Sequence, residues 1–220
     1  MSEPLNFNLA SQFTGSLSVI FYFALVLFPY YSSFKKGKID NQDFTLSKAM
    51  EYANQNMQVF LVFNFTFFSM CLFTYRGVMF GRDQRIAFPI LMWAFTMSIV
   101  SLLWITAEYK IDHSLLALVV ILSGQIFGLL VWGTYRDYYP EEENFKALES
   151  LTWIAFIVVL CIAPVYFYKN TKILGILEIL HALLNGCVLI AYVTLPPLPV
   201  NNINQEIPKN ENEAKKIIKE

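Results

Sequence analysis

Long apolar runs alternate with short polar segments along the whole chain. Six runs carry a single formal charge between them: residues 13–34, 55–75, 86–107, 114–135, 150–168 and 173–195. A hydrocarbon core of about 30 Å requires about 20 apolar residues in helical form. The pattern therefore predicts six transmembrane spans joined by short polar connections.

The spans are predicted to be helices rather than strands. None of the runs shows the sustained alternation of a strand, or the segments of about ten residues that build a membrane barrel. In lipid, a helix satisfies its backbone hydrogen bonds within one segment. We therefore expect an all-α fold, a polytopic helix bundle over residues 1–195. The closely spaced prolines of the LPPLP segment interrupt helix, so residues 196–220 are predicted to form a polar, extended C-terminal tail.

Composition agrees with a lipid environment. Hydrophobic residues make up 56% of the chain and charged residues 15%, whereas a soluble domain is about 25% charged. The chain has 16 Lys and Arg against 17 Asp and Glu, so it lacks the basic surface that binds nucleic acid. We predict an integral membrane protein whose main partner is the bilayer. An endomembrane and the mitochondrial inner membrane both fit these features.

The one charge inside the six runs belongs to Glu178. A carboxylate in hydrocarbon is costly unless it is paired, protonated, hydrogen-bonded or facing water, so it marks a functional-site hypothesis. At about 100° per residue, Glu178, His181 and Asn185 fall within an arc of about 60° on one helix face, and Tyr192 lies on the same arc. We call these four residues the polar stripe.

Three interpretations of the polar stripe compete. In a transport protein, Glu178 and His181 form a protonatable pair along a water-filled path. In a structural protein, the stripe bonds to neighbouring helices. In a metalloprotein, Glu-x-x-His supplies two ligands, but a di-iron bundle needs a second such motif and two further glutamates. A haem held by two histidines would need His113, at a span edge. The sequence slightly favours transport and predicts neither a metal site nor a cofactor.

Four further polar residues could complete a site in the bundle. Asn64 lies deep in the second span, Ser101 in the third, Gln125 near the centre of the fourth, and Glu108 at a span boundary. They are accessory candidates because a polar side chain inside a membrane bundle faces other helices or a cavity.

Two other patterns indicate packing rather than chemistry. Gly124 and Gly128 form a GxxxG pair, which predicts close approach of another helix. The phenylalanine-rich second span is expected to face lipid and to pack on its neighbours, not to bind a cofactor.

The functional prediction follows from the stripe and from missing catalytic motifs. The chain has no GxSxG, HExxH, P-loop or GxGxxG motif, so we predict no catalytic residues and favour a non-enzymatic role. The leading hypothesis is a small-solute or proton-coupled carrier or channel. The alternative is a non-catalytic structural or assembly subunit of a larger membrane complex, for example of the respiratory type. Such a subunit would contact other membrane subunits through its C-terminal tail and the acidic loop 137–149.

Overall fold

The computed structural model describes residues 7–38, 45–77, 84–103, 110–168 and 170–196. Within these ranges the chain forms seven α-helices and no strand, so the all-α prediction is confirmed. The helices are α1 (Phe7–Lys35), α2 (Leu46–Tyr52), α3 (Gln55–Gly77), α4 (Gln84–Leu102), α5 (Lys110–Tyr135), α6 (Glu143–Phe167) and α7 (Thr171–Thr194).

Five of these helices are long and apolar enough to cross a membrane. They are α1, α3, α5, α6 and α7. The apolar part of α4, Pro89–Leu102, is shorter than the other five spans. The predicted third span, 86–107, therefore has a shorter described counterpart, and residues 104–107 lie outside the described ranges, as do tail residues 197–220.

Helix α7 occupies a central position in the bundle. It packs on α6 along much of its length and also contacts α1, α5 and α2, while α3 lies between α1 and α4. The outward faces are apolar. On α3, for example, Phe60, Phe63 and Phe67 are more than half exposed, whereas Phe65 is buried. Such a surface suits contact with hydrocarbon.

Glycines allow α7 to approach its neighbours closely. A Cβ atom added to Gly186 would lie 2.5 Å from the Phe23 ring of α1, and one added to Gly15 would lie 2.7 Å from the Val193 side chain. On α5, a Cβ added to Gly128 would lie 3.3 Å from Thr152 of α6. The close approach predicted from the GxxxG motif is therefore confirmed at Gly128. These contacts fix the spacing of the helices around α7.

A short helix, α2, occupies the first connection, for which the apolar pattern predicted no element. It packs on α1, and its Ala49 and Met50 are buried. Ser33 Oγ donates a hydrogen bond to the Ala49 carbonyl at 2.6 Å, and Gln58 Nε2 donates one to the Met50 carbonyl at 2.8 Å. These bonds tie α2 to the ends of α1 and α3.

Candidate functional site

A cavity of about 130 Å³ lies inside the bundle, beside α7. Residues of α1, α2, α3, α4, α5 and α7 line it, and most of them are apolar. An engineered cavity of about 150 Å³ in another protein binds benzene, so this one has room for roughly one aromatic ring. Glu178, His181 and Asn185 all line the cavity. Three of the four members of the polar stripe therefore meet at one site.

Glu178 closes one end of this cavity. Its Oε2 atom accepts a hydrogen bond of 2.7 Å from the backbone N–H of Leu46, the first residue of α2. The preceding residue, Thr45, makes no capping hydrogen bond with its own side chain. The Leu46 N–H is one of the groups at a helix start that have no intrahelical partner, so Glu178 satisfies it, and its charge lies at the positive end of the helix dipole. The carboxylate connects α2 to α7.

His181 and Asn185 form a pair one helical turn apart. Both are buried, and Asn185 Nδ2 donates a hydrogen bond of 3.0 Å to His181 Nε2. The backbone of Gly124 passes close to this pair, since an added Cβ would lie 2.9 Å from Asn185 Nδ2. The first glycine of the GxxxG motif therefore makes the space that the Asn185 amide occupies.

Aromatic side chains form much of the remaining cavity wall: Tyr22, Phe65, Phe73, Phe95 and Phe127. Their rings contact one another. The ring centroids of Tyr22 and Phe65 are 5.3 Å apart, those of Phe65 and Phe95 are 5.6 Å apart, and those of Phe73 and Phe127 are also 5.6 Å apart. The three stripe residues at the cavity thus lie in the same cavity wall as aromatic rings from α1, α3, α4 and α5.

The structure places Tyr192, the fourth member of the stripe, in a different cluster. Tyr192 is fully buried near the C-terminus of α7 and is not among the described lining residues of the cavity. Its ring lies under the Arg76 guanidinium, with 4.8 Å between the Arg76 Cζ atom and the ring centroid. Its ring centroid is also 5.8 Å from that of Phe127, which lines the cavity, so a role of Tyr192 in the site stays a prediction.

Arg76 is a buried cation that the sequence analysis missed. It is only 3% exposed and lies at the end of α3. Its guanidinium donates hydrogen bonds to the carbonyls of Tyr192 at 2.6 Å, Val193 at 2.8 Å and Leu195 at 3.2 Å. A further bond of 2.9 Å goes to Ser11 Oγ. Arg76 therefore binds the C-terminal carbonyls of α7, where a positive charge complements the helix dipole.

Three accessory candidates, Asn64, Ser101 and Gln125, are not among the described lining residues of the cavity. Asn64 donates a hydrogen bond of 2.8 Å to a carbonyl of its own helix, one turn earlier. Gln125 Nε2 donates to the Thr152 carbonyl at 3.3 Å and so connects α5 to α6. Ser101 is half-buried on α4 and is not among the described lining residues. Glu108 lies outside the described residues.

The acidic loop 137–149 is at the surface and includes the start of α6. Lys146 Nζ lies 2.9 Å from Glu141 Oε2, and Trp132 Nε1 donates to Glu149 Oε1 at 2.9 Å. The hydrogen bond and positive charge of Lys146 lower the pKa of Glu141. Contact of this loop with a partner protein stays a prediction.

Comparison with known proteins identifies no relative. No family model, curated protein or solved structure matches this chain. Within the described part of the chain, no three His, Cys, Asp or Glu side chains are grouped to hold a metal ion. The functional interpretation therefore depends on the cavity itself.

Proposed function

We propose that this chain is a proton-coupled carrier of a small solute and that the cavity beside α7 is its binding site. The observation that supports this proposal is the convergence of Glu178, His181 and Asn185 on one cavity enclosed by helices from most of the bundle. Binding sites in proteins are concave and mostly apolar, with a few convergent polar groups that orient the ligand. The cavity has this composition.

The contacts of the stripe favour a carrier over a purely structural role. A structural stripe bonds to neighbouring helices in order to fix their register. Here His181 and Asn185 bond to each other and both line the cavity. Glu178 also lines the cavity, and it accepts a hydrogen bond from α2, a short connecting element.

Helix α2 provides the moving part of the proposed carrier. It has only seven residues, and Leu46, Ser47 and Met50 line the cavity. Isolated helices of this length are unstable in water, so α2 depends on its tertiary bonds. A proton or a solute that engages Glu178 would weaken the bond to Leu46 and allow α2 to move. Such movement would open the cavity to the aqueous phase on that side of the membrane.

Access of water-soluble reagents to the cavity tests the binding site. In a variant without the native Cys71, Cys161 and Cys187, one new cysteine is introduced at Leu189, which lines the cavity. The matched control is a cysteine at the adjacent Val188, which is fully buried and not among the described lining residues. In nanodiscs, we expect a small methanethiosulfonate to react about tenfold faster at position 189 than at position 188. A thiol at position 188 is buried between helices and can react only after local opening of the structure. Equal rates would contradict a solvent-accessible site.

Proton flux tests the transport function. Pure proteoliposomes with a trapped pH indicator receive an imposed proton gradient. We expect wild-type protein to dissipate the gradient, and we expect Glu178→Gln and His181→Ala to abolish this flux while remaining inserted and monodisperse. The subunit hypothesis would instead be supported by two results together. Liposomes with wild-type protein would lose the gradient no faster than empty liposomes, and the chain would be recovered only in a stable high-mass complex.

A further inference from the structure

We infer that the solute is a small organic cation, an amine of about the size of one aromatic ring. This inference rests on the proposed function because it assumes that the cavity beside α7 is the solute site. It follows from the charge of the cavity, the chemistry of its wall and its volume.

The charge of the cavity wall selects against anions. Among the described lining residues, Glu178 is the one acidic residue and none is Lys or Arg. The buried Arg76 lies with the C-terminal carbonyls of α7 instead. An anionic solute would add a second negative charge beside Glu178, and the two charges would repel each other strongly in a medium of low dielectric constant. A cation would neutralise the carboxylate.

The aromatic wall favours an organic cation over an inorganic one. Ammonium groups are attracted to the faces of aromatic rings, and the attraction is strongest where the cation is desolvated. A hard inorganic cation such as Ca²⁺ instead requires six or more oxygen ligands. The described cavity offers few oxygens, and two of its hydroxyls are already used: Ser69 bonds to Ser18, and Ser123 donates to the Val119 carbonyl.

The volume and the polar arrangement limit the solute further. A cavity of about 130 Å³ has room for roughly one ring. His181 and Asn185 follow Glu178 along the same face of α7, so the carboxylate, imidazole and amide groups lie on one side, while serine hydroxyls and mostly apolar side chains form the rest. A primary amine on a compact apolar body matches this division. Its ammonium group would lie beside Glu178 and its body among the aromatic residues.

Three probes of nearly equal size and different charge test this inference: benzylamine, benzyl alcohol and benzoate. Binding is measured at pH 7.5 by competition against radiolabelled benzylamine, with wild-type protein in nanodiscs and empty nanodiscs as the blank. We expect benzylamine to bind about tenfold more tightly than benzyl alcohol, and benzoate to bind more weakly than both. The order of the three wild-type affinities is informative whether or not any variant folds.

Variants locate the binding and identify the group that recognises charge. Glu178→Gln keeps an oxygen that can accept the Leu46 N–H, so α2 stays capped while the charge is lost. In this variant benzylamine should bind no better than benzyl alcohol. Ala117→Trp, which fills the cavity from α5, should abolish binding of both probes. The matched control, Ala163→Trp on the exposed face of α6, should leave binding unchanged.

The results separate this inference from the proposed function. Absence of saturable benzylamine binding, benzoate affinity equal to or above that of benzylamine, or an undiminished preference for benzylamine in Glu178→Gln would each overturn the organic-cation inference. The site itself would survive any of these results if the cysteine at position 189 is still labelled faster than the one at 188. Loss of that difference would remove the site and the inference together.

Discussion

Removal of the buried Arg76 guanidinium should destabilise the bundle without touching the cavity. The side chain supplies donors to the carbonyls of Tyr192, Val193 and Leu195. These carbonyls belong to the end of α7, where the intrahelical partners run out. In Arg76→Ala they lose these donors in a buried environment, and the space occupied by the side chain is left empty.

The magnitude can be estimated from the contacts. A buried polar group left unsatisfied costs about 1–3 kcal/mol, and because Arg76→Ala removes the donor from three carbonyls, the total loss should be about 3–5 kcal/mol. For a chain of this length, 1 kcal/mol corresponds to about 2–4 °C in Tm. Arg76→Ala should therefore lower the Tm by about 10 °C. Arg76→Lys keeps the charge but has only one nitrogen to reach several carbonyls, so its Tm should lie between those of the wild type and Arg76→Ala.

The assay is thermal unfolding of the purified protein, followed by the loss of the monodisperse peak in size-exclusion chromatography after heating. The control is Thr74→Ala, two residues before Arg76 on α3. Thr74 is exposed, and its hydroxyl donates to the Met70 carbonyl of its own helix. The control should melt within about 2 °C of wild type, as surface substitutions usually do. If Arg76→Ala has the same Tm as the control, the guanidinium does not stabilise the end of α7 as its contacts indicate.

Two further predictions concern other parts of the chain. Gly124→Ala should weaken benzylamine binding and lower the free energy of unfolding by about 1–3 kcal/mol, because the added Cβ would meet the Asn185 amide. The control is Gly133→Ala, where no atom lies within 4 Å of the added Cβ. In the same binding and melting assays this control should be neutral or slightly stabilising. The pKa of Glu141 is lower in the folded than in the unfolded state, so its ion pair with Lys146 stabilises the fold at a pH above the unfolded-state pKa of Glu141. This stabilisation is lost as the pH falls through the folded-state pKa of Glu141. Lys146→Met should return the pKa of Glu141 towards its ordinary value in an NMR titration, and an unchanged pKa would show that the pair is not formed in solution.

The spanning helices could be predicted from sequence because hydrocarbon leaves the backbone few alternatives. Apolar runs of about 20 residues in lipid satisfy their hydrogen bonds as helices. Residues 173–195 became α7, Thr171–Thr194, and residues 55–75 became α3, Gln55–Gly77. The periodicity of a helix also brought Glu178, His181 and Asn185 to one cavity wall.

Helix α2 and Arg76 were not predictable by the same means. Helix α2 is too short to carry a clear period, and its capping partner Glu178 lies 132 residues later in the chain. Arg76 follows the apolar run directly, and a basic residue in that position resembles the positive flank of a span. Only the hydrogen bonds of Arg76 to the end of α7 show that this side chain turns inward. Both features depend on contacts between distant segments.

The buried Arg76 and the half-buried Glu178 differ in what their loss should do, and this difference makes the function testable. Glu178 and the Tyr192 carbonyl bound by Arg76 are 14 residues apart on α7, about 21 Å along the helix. Each charge is bonded to backbone groups at a helix end: Glu178 to the start of α2, and Arg76 to the end of α7. Because Arg76 is bonded to carbonyls of α7 and not to Glu178, neutralising Glu178 leaves these contacts of Arg76 in place. Glu178→Gln should therefore remove charge recognition from a folded protein, whereas Arg76→Ala should weaken the fold around an intact site.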